Sequence, residues 1–127
     1  VMNSGQSCAE VTVVRRDGAT MIGVGRPTLD PNTESYGSAD FWGVCHNGYL
    51  YHSGSGGQQW QGMEDYDTGD VLRLLLDSDA GTLTVKKNGT LLGVAVTSGL
   101  TGDLCWAVCC AGADCSVRIK AVDPAEF

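Results

Sequence analysis

From Val71 to Val96 the chain reads VLRLLLDSDAGTLTVKKNGTLLGVAV, and this stretch decides the fold class. Thr82-Leu83-Thr84-Val85-Lys86 alternates polar and apolar residues, the period of a strand with one face buried. Asn88-Gly89 follows, a pair that reverses a chain between two antiparallel strands, and Thr90 to Val96 then supplies the second strand. Upstream, Val71 to Leu76 is an almost continuous apolar run. It is too short for a helix and is bounded by Gly69-Asp70 and by Asp77 to Gly81, so it is expected to be a strand buried on both faces.

The same punctuation extends in both directions. Glu10 to Val14 is rich in β-branched residues and runs into Arg15-Arg16-Asp17-Gly18, with a second run from Ala19 to Val24, which predicts a hairpin. Phe41 to Val44 and Tyr49 to His52, separated by His46-Asn47-Gly48, predict another. Leu104 to Cys110 and Ser116 to Val122 read as two further strands joined by a Gly-containing loop. Arg26 to Asp40 reads as a long surface loop, and Ser53 to Gly57 as a short flexible one. Many short strands, Gly-rich turns and no amphipathic helix predict an all-β sandwich of two antiparallel sheets.

Composition narrows the function. The 127 residues suit one domain spanning 1–127, and the opening Val1 fits a piece excised from a larger protein. A net charge of −7, with Arg15-Arg16 and Lys86-Lys87 the only adjacent basic pairs, argues against a nucleic-acid surface. No apolar run approaches the roughly 20 residues of a spanning helix, so no membrane insertion is expected. The location expected is intracellular and cytoplasmic. Of the six cysteines, Cys105, Cys109 and Cys110 fall in one apolar run and read as buried thiols packing as small hydrophobes, the alternative being a disulfide or redox pair.

Several segments resemble the SPRY (B30.2-like) family in order and spacing. They are Gly69-Asp70-Val71, Leu75 to Leu83, Lys87-Asn88-Gly89, Leu92-Gly93-Val94-Ala95 and Leu104-Cys105-Trp106-Ala107-Val108. Ser35-Tyr36-Gly37, Tyr51-His52-Ser53-Gly54 and Ala9-Glu10-Val11-Thr12 look like the family's upstream segments. Two departures stand out: Cys8-Ala9 replaces the aromatic that usually precedes the early Glu, and Leu29-Asp30-Pro31, similar to a PRY motif, follows the early strand instead of preceding it. The resemblance is therefore to a SPRY core without a PRY extension. It implies a bent, concanavalin A-like sandwich whose edge loops form a shallow pocket for short peptides of protein partners. It further implies service as the targeting part of a larger scaffold or ubiquitin ligase. In family members an aromatic-Gly loop lines the pocket; the matching stretch here, Cys109-Cys110-Ala111-Gly112, lacks the ring.

The residues expected to border a partner-binding pocket are Arg26, Pro27, Leu29, Asp30 and Tyr36 in the long loop, Gln59 and Trp60 among glutamines, and Ala111 and Gly112 in the last loop. Trp60 reads as an exposed anchor or as a cap on the sandwich edge, while Trp42 and Trp106, in apolar runs, read as core. Catalysis is not expected, because adjacent strand residues such as Glu64 and Asp65 point to opposite faces and cannot flank one bond. Asp77 to Gly81 lacks the ligand spacing of a calcium loop, and Cys45, His46 and His52 lack that of a zinc site. No metal or other cofactor is therefore expected. Other readings are a structural or linker subunit of an assembly and, by fold analogy, a carbohydrate-binding module; the oligomeric state is open.

Overall fold

The computed structural model describes residues 2–28, 39–53 and 57–127. Among these residues nine strands follow in order: β1 Gln6–Arg15, β2 Thr20–Gly25, β3 Phe41–Cys45, β4 Leu50–Tyr51, β5 Val71–Asp77, β6 Thr82–Lys87, β7 Thr90–Val96, β8 Cys105–Cys110 and β9 Ser116–Val122, before a short 3-10 turn at Pro124–Glu126. They form two antiparallel sheets, ordered β7-β6-β5-β1-β9 and β4-β3-β2-β8, the sandwich that the strand pattern predicted.

The core lies between the sheets. Leu72, Leu74 and Leu76 from β5, Val11 and Val13 from β1, and Leu83 and Val85 from β6 meet Ile22, Val24, Trp42 and Val44 from the opposite sheet. Each such side chain, fully buried, contributes roughly 1.5–3 kcal/mol relative to exposure. The hairpins β6–β7 and β3–β4 form as expected. At the first of these turns Asn88 and Gly89 both have positive φ, 50° and 84°, the geometry a two-residue hairpin needs.

Two sequence expectations are corrected. β1 and β2 do not form a hairpin: β1 pairs with β5 and β9, whereas β2 pairs with β3 and β8. The connection crosses from one sheet to the other, and Arg16 fixes it, its backbone N–H donating to Thr68 Oγ1 at 2.9 Å and its guanidinium to the Gly18 carbonyl and Asp67. β5, in turn, is buried on one face only, since Val71, Arg73, Leu75 and Asp77 on its other face stay partly exposed. The strands buried on both faces are β2 and β3. Their outer side carries a second cluster of Met21, Phe41 and Cys45, and the Phe41 ring lies where a Cβ on Gly43 would be, 2.5 Å away.

The cysteines divide. Cys8 and Cys45 are buried free thiols, but Cys110 is exposed and disulfide-bonded to Cys115, with a Cα–Cα distance of 5.8 Å. For Cys110 the buried-thiol reading fails because it lies at the end of β8, where the strand leaves the core.

Candidate functional site

The two sheets leave a lateral cleft between their edge strands β4 and β7. The segment Gln58 to Gly62 closes it as a wall: Gln58 exchanges two backbone hydrogen bonds with Leu50, at 2.8 and 2.9 Å. Further along, the wall touches β7 through bare backbone. A Cβ on Gly62 would sit 1.8 Å from the Leu92 carbonyl oxygen, and one on Gly93 would sit 2.5 Å from that of Gln61. Both have positive φ, 95° and 153°, so glycine at each position is what lets the wall and the strand touch.

Trp60 is wedged in this wall. Its indole Nε1 donates to the Gly48 carbonyl at 2.7 Å, and its ring packs on the main core while remaining half-exposed. It therefore caps the sandwich edge while part of its surface stays accessible. The cleft beside it has a volume of about 530 Å³ and takes apolar surface from Trp60, Leu92 and Val94 and amides from Gln58, Gln59 and Gln61. Val94 is 39% exposed. A smaller hollow of about 190 Å³ shares Leu50, Gln58, Ala95 and Thr97 with the cleft and reaches Trp42 and His52, whose rings stack at 4.3 Å and 10°.

Arg26 stands just past this hollow. Its guanidinium lies 5.2 Å from the Trp42 ring centroid and donates to the backbone carbonyls of Thr101 and Asp103. Arg26 thus ties the end of β2 to the β7–β8 connection, a positioning contact that sequence did not reveal because it spans some 75 residues. Pro27 is exposed in the turn that follows. Leu29, Asp30 and Tyr36 lie outside the described residues, as do most of the Arg26 to Asp40 loop and Gly54 to Gly56.

Ala111 and Gly112 are not part of this cleft. Thr20 pairs with Cys110 and Gly25 with Cys105, so the last loop sits at the opposite end of β2 from Arg26, roughly 20 Å away at 3.3 Å per strand residue. There Gly112 packs on the Asp17 backbone and Asp114 N–H donates to Asp17 Oδ2 at 3.2 Å. Nearby is a more polar hollow of about 570 Å³, lined by Arg16, His46, Glu64, Asp65, Tyr66 and Asp67. The Arg16 guanidinium holds the Asp67 carboxyl below the usual carboxylate range. Burial, reinforced by Arg16, pushes the His46 imidazole below its ordinary value. The phenol of Tyr66 is buried, which drives it far above the usual tyrosine range, and it donates to the carbonyls of Val44 at 2.7 Å and Thr20 at 3.1 Å. Sequence reading gave Tyr66 no role and took His46 as a turn residue. Among the described residues no group of three or more His, Cys, Asp or Glu is placed to hold a metal, and no helix is long and apolar enough to cross a membrane.

The family model of the SPRY domain matches residues 9–122, from the middle of β1 to the end of β9. The chain belongs to the SPRY family. The solved structures agree on the fold: the SPRY domain of human HERC1 superimposes with a TM-score of 0.75 at 22% identity, over 96% of this chain and 77% of that one. A search of curated proteins gave no significant match. SPRY domains are a family of protein-interaction modules, generally non-catalytic.

Proposed function

We propose that this SPRY domain, a single unit over 1–127, binds a short extended peptide segment of a protein partner in the cleft between Gln58 to Gln61 and Leu92 to Thr97. The observation that carries the reading is the mixed lining of that cleft: an indole face and Val94 beside glutamine amides, on a wall held to β7 by backbone contact. Apolar anchors in a pocket with a few oriented polar groups are what peptide recognition uses. Gln59 and Trp60 supply direct contacts, and Arg26 and Pro27 border the far end. Arg26 acts by holding the β7–β8 connection in place.

The partner in this reading is protein, with no nucleic acid bound and no membrane insertion, and the domain directs a larger scaffold or ubiquitin ligase to it. An intracellular, cytoplasmic setting goes with that role. The Cys110–Cys115 disulfide pulls the other way, since such bonds persist mainly in oxidising compartments. Alkylating the protein in intact cells before lysis decides between them.

The function is tested by selecting peptides from a displayed random library on the purified domain and measuring their affinity for variants. Val94→Asp leaves the core intact and places a charge in the cleft, so it is expected to weaken binding about tenfold or more, the equivalent of roughly 1.4 kcal/mol. Gln59→Ala is expected to weaken it by a smaller factor. Selected peptides that bind both variants as tightly as the parent domain overturn the assignment. A domain that enriches no peptide and instead self-assembles is a structural subunit, and one that binds only a glycan array is a carbohydrate module.

A further inference from the structure

The flank opposite the Trp60 cleft is open. There β9 ends one sheet and β8 ends the other, and among the described residues neither has a strand partner on its outer side. The register of β9 against β1 sorts its side chains. Val117 and Ile119 stand across from the core residues Val13 and Val11 and so point toward the seam between the sheets, yet Ile119 is 44% exposed. On the facing sheet Trp106 and Val108 pack on the same core and are also only half-buried.

The alternate residues of β9, Arg118 and Lys120, lie on the opposite face across from Thr12 and Glu10. Glu10 serves two cations at once, Arg73 at 3.1 Å and Lys120 at 3.6 Å. Arg118 has no acidic partner among the described residues. In a chain of net charge −7, this face of β9 thus presents two cations, Arg118 and Lys120.

We propose that the free edge of β9 accepts an extended segment of a partner protein in which acidic and apolar residues alternate, added to the sheet as a further strand. The unpaired N–H and C=O groups of an edge strand supply the backbone pairing. Apolar side chains at every second position drop into the seam over Ile119 and Trp106, and acidic ones fall beside Arg118 and Lys120, where opposite charges on neighbouring strands attract. A second copy of the chain fits badly, because antiparallel pairing of two β9 strands about Ile119 sets Arg118 against Lys120 on both sides. The charges that block self-pairing are the ones that select an acidic strand.

The probe is a capped synthetic peptide of alternating Glu and Val, about eight residues long, with a Lys–Val peptide as control. It is titrated into the isotopically labelled domain and followed by amide and indole NMR shifts and by amide exchange. The expected result is saturable binding of the Glu–Val peptide by roughly 1 mM, shifts confined to β9 and Trp106, and slowed exchange of β9 amides. The double reversal R118E and K120E is expected to weaken that peptide at least about fivefold and to let the Lys–Val peptide bind. Arg118→Gln, which leaves the Glu10–Lys120 contact in place, is expected to give a smaller loss in the same direction should the double reversal disturb folding. No shift, equal binding of both peptides, or indifference to the Arg118 changes overturns the proposal. Shifts confined to the Trp60 cleft also overturn it, while supporting the peptide reading of that cleft.

Discussion

Replacing Tyr66 by Phe removes a single hydroxyl and keeps the ring, which makes it the sharpest probe of how the 58–67 segment is held. The hydroxyl donates to two carbonyls, Val44 at 2.7 Å and Thr20 at 3.1 Å. Thr20 keeps a second donor, the His46 backbone N–H at 2.9 Å, so its carbonyl stays satisfied in the variant. The loss is therefore one good buried hydrogen bond plus partial desolvation of the Val44 carbonyl, about 1–2 kcal/mol. In a domain of this size that lowers Tm by about 4–7 °C. Denaturant titration and calorimetry measure both quantities, and the denaturant slope is expected to stay unchanged because the fold stays the same. A Tyr66→Phe variant within about 0.3 kcal/mol of the parent would refute the claim that this hydroxyl closes the corner between β2, β3 and the wall of the cleft.

Two further outcomes follow from other sites. Burial and the Arg16 cation hold His46 below its ordinary 6.5, so between its folded value and 6.5 the unfolded chain binds more protons. Stability then rises with pH across that window and is lost as pH falls from about 6.5, and a His46→Asn variant should show a flatter dependence between pH 7.5 and 5.5 when both are titrated with urea. Cys110 and Cys115 close a small loop, for which chain entropy gives about 2 kcal/mol, so reductant should lower the denaturation midpoint of the parent and leave a Cys110→Ala/Cys115→Ala variant unmoved.

What was legible in the sequence was local, and what was not depended on distant partners. Asn88-Gly89 announced its hairpin because two consecutive residues there adopt positive φ, a demand that shows directly as residue type. Asp17-Gly18 is an equally strong turn pair on paper, but only Gly18, at 72°, has positive φ. Its Asp side chain serves the remote Asp114 backbone, a contact that no reading of neighbouring residues supplies. β2 and β3 escaped notice as doubly buried strands because Gly23 and Gly43 occupy positions where an apolar run would show larger residues. The site divides in the same way. Trp60 stood out as an aromatic among glutamines, whereas its neighbours in the cleft, Leu92 and Val94, come from a hairpin some thirty residues later and were read as strand and family-motif residues, not as pocket lining. Ala111 and Gly112 were grouped with them on the family's loop pattern, and the pairing of β8 with β2 puts them at the other end of the molecule.

The place of β1 has a consequence for how the chain is born. It lies between β5 and β9, in register with residues as late as Val122. A ribosome releases a chain from its N-terminus onward, so β1 emerges about 60 residues before its neighbour β5 and about 100 before its neighbour β9. Closure of the larger sheet has to wait until the residues through Val122 have emerged. Pairings this distant in sequence put folding in the millisecond-to-second range, about the slow end for domains of similar size. During that wait the β-branched face of β1 has no native cover, and nascent chains stalled before Ser116 are the species most exposed to misassociation.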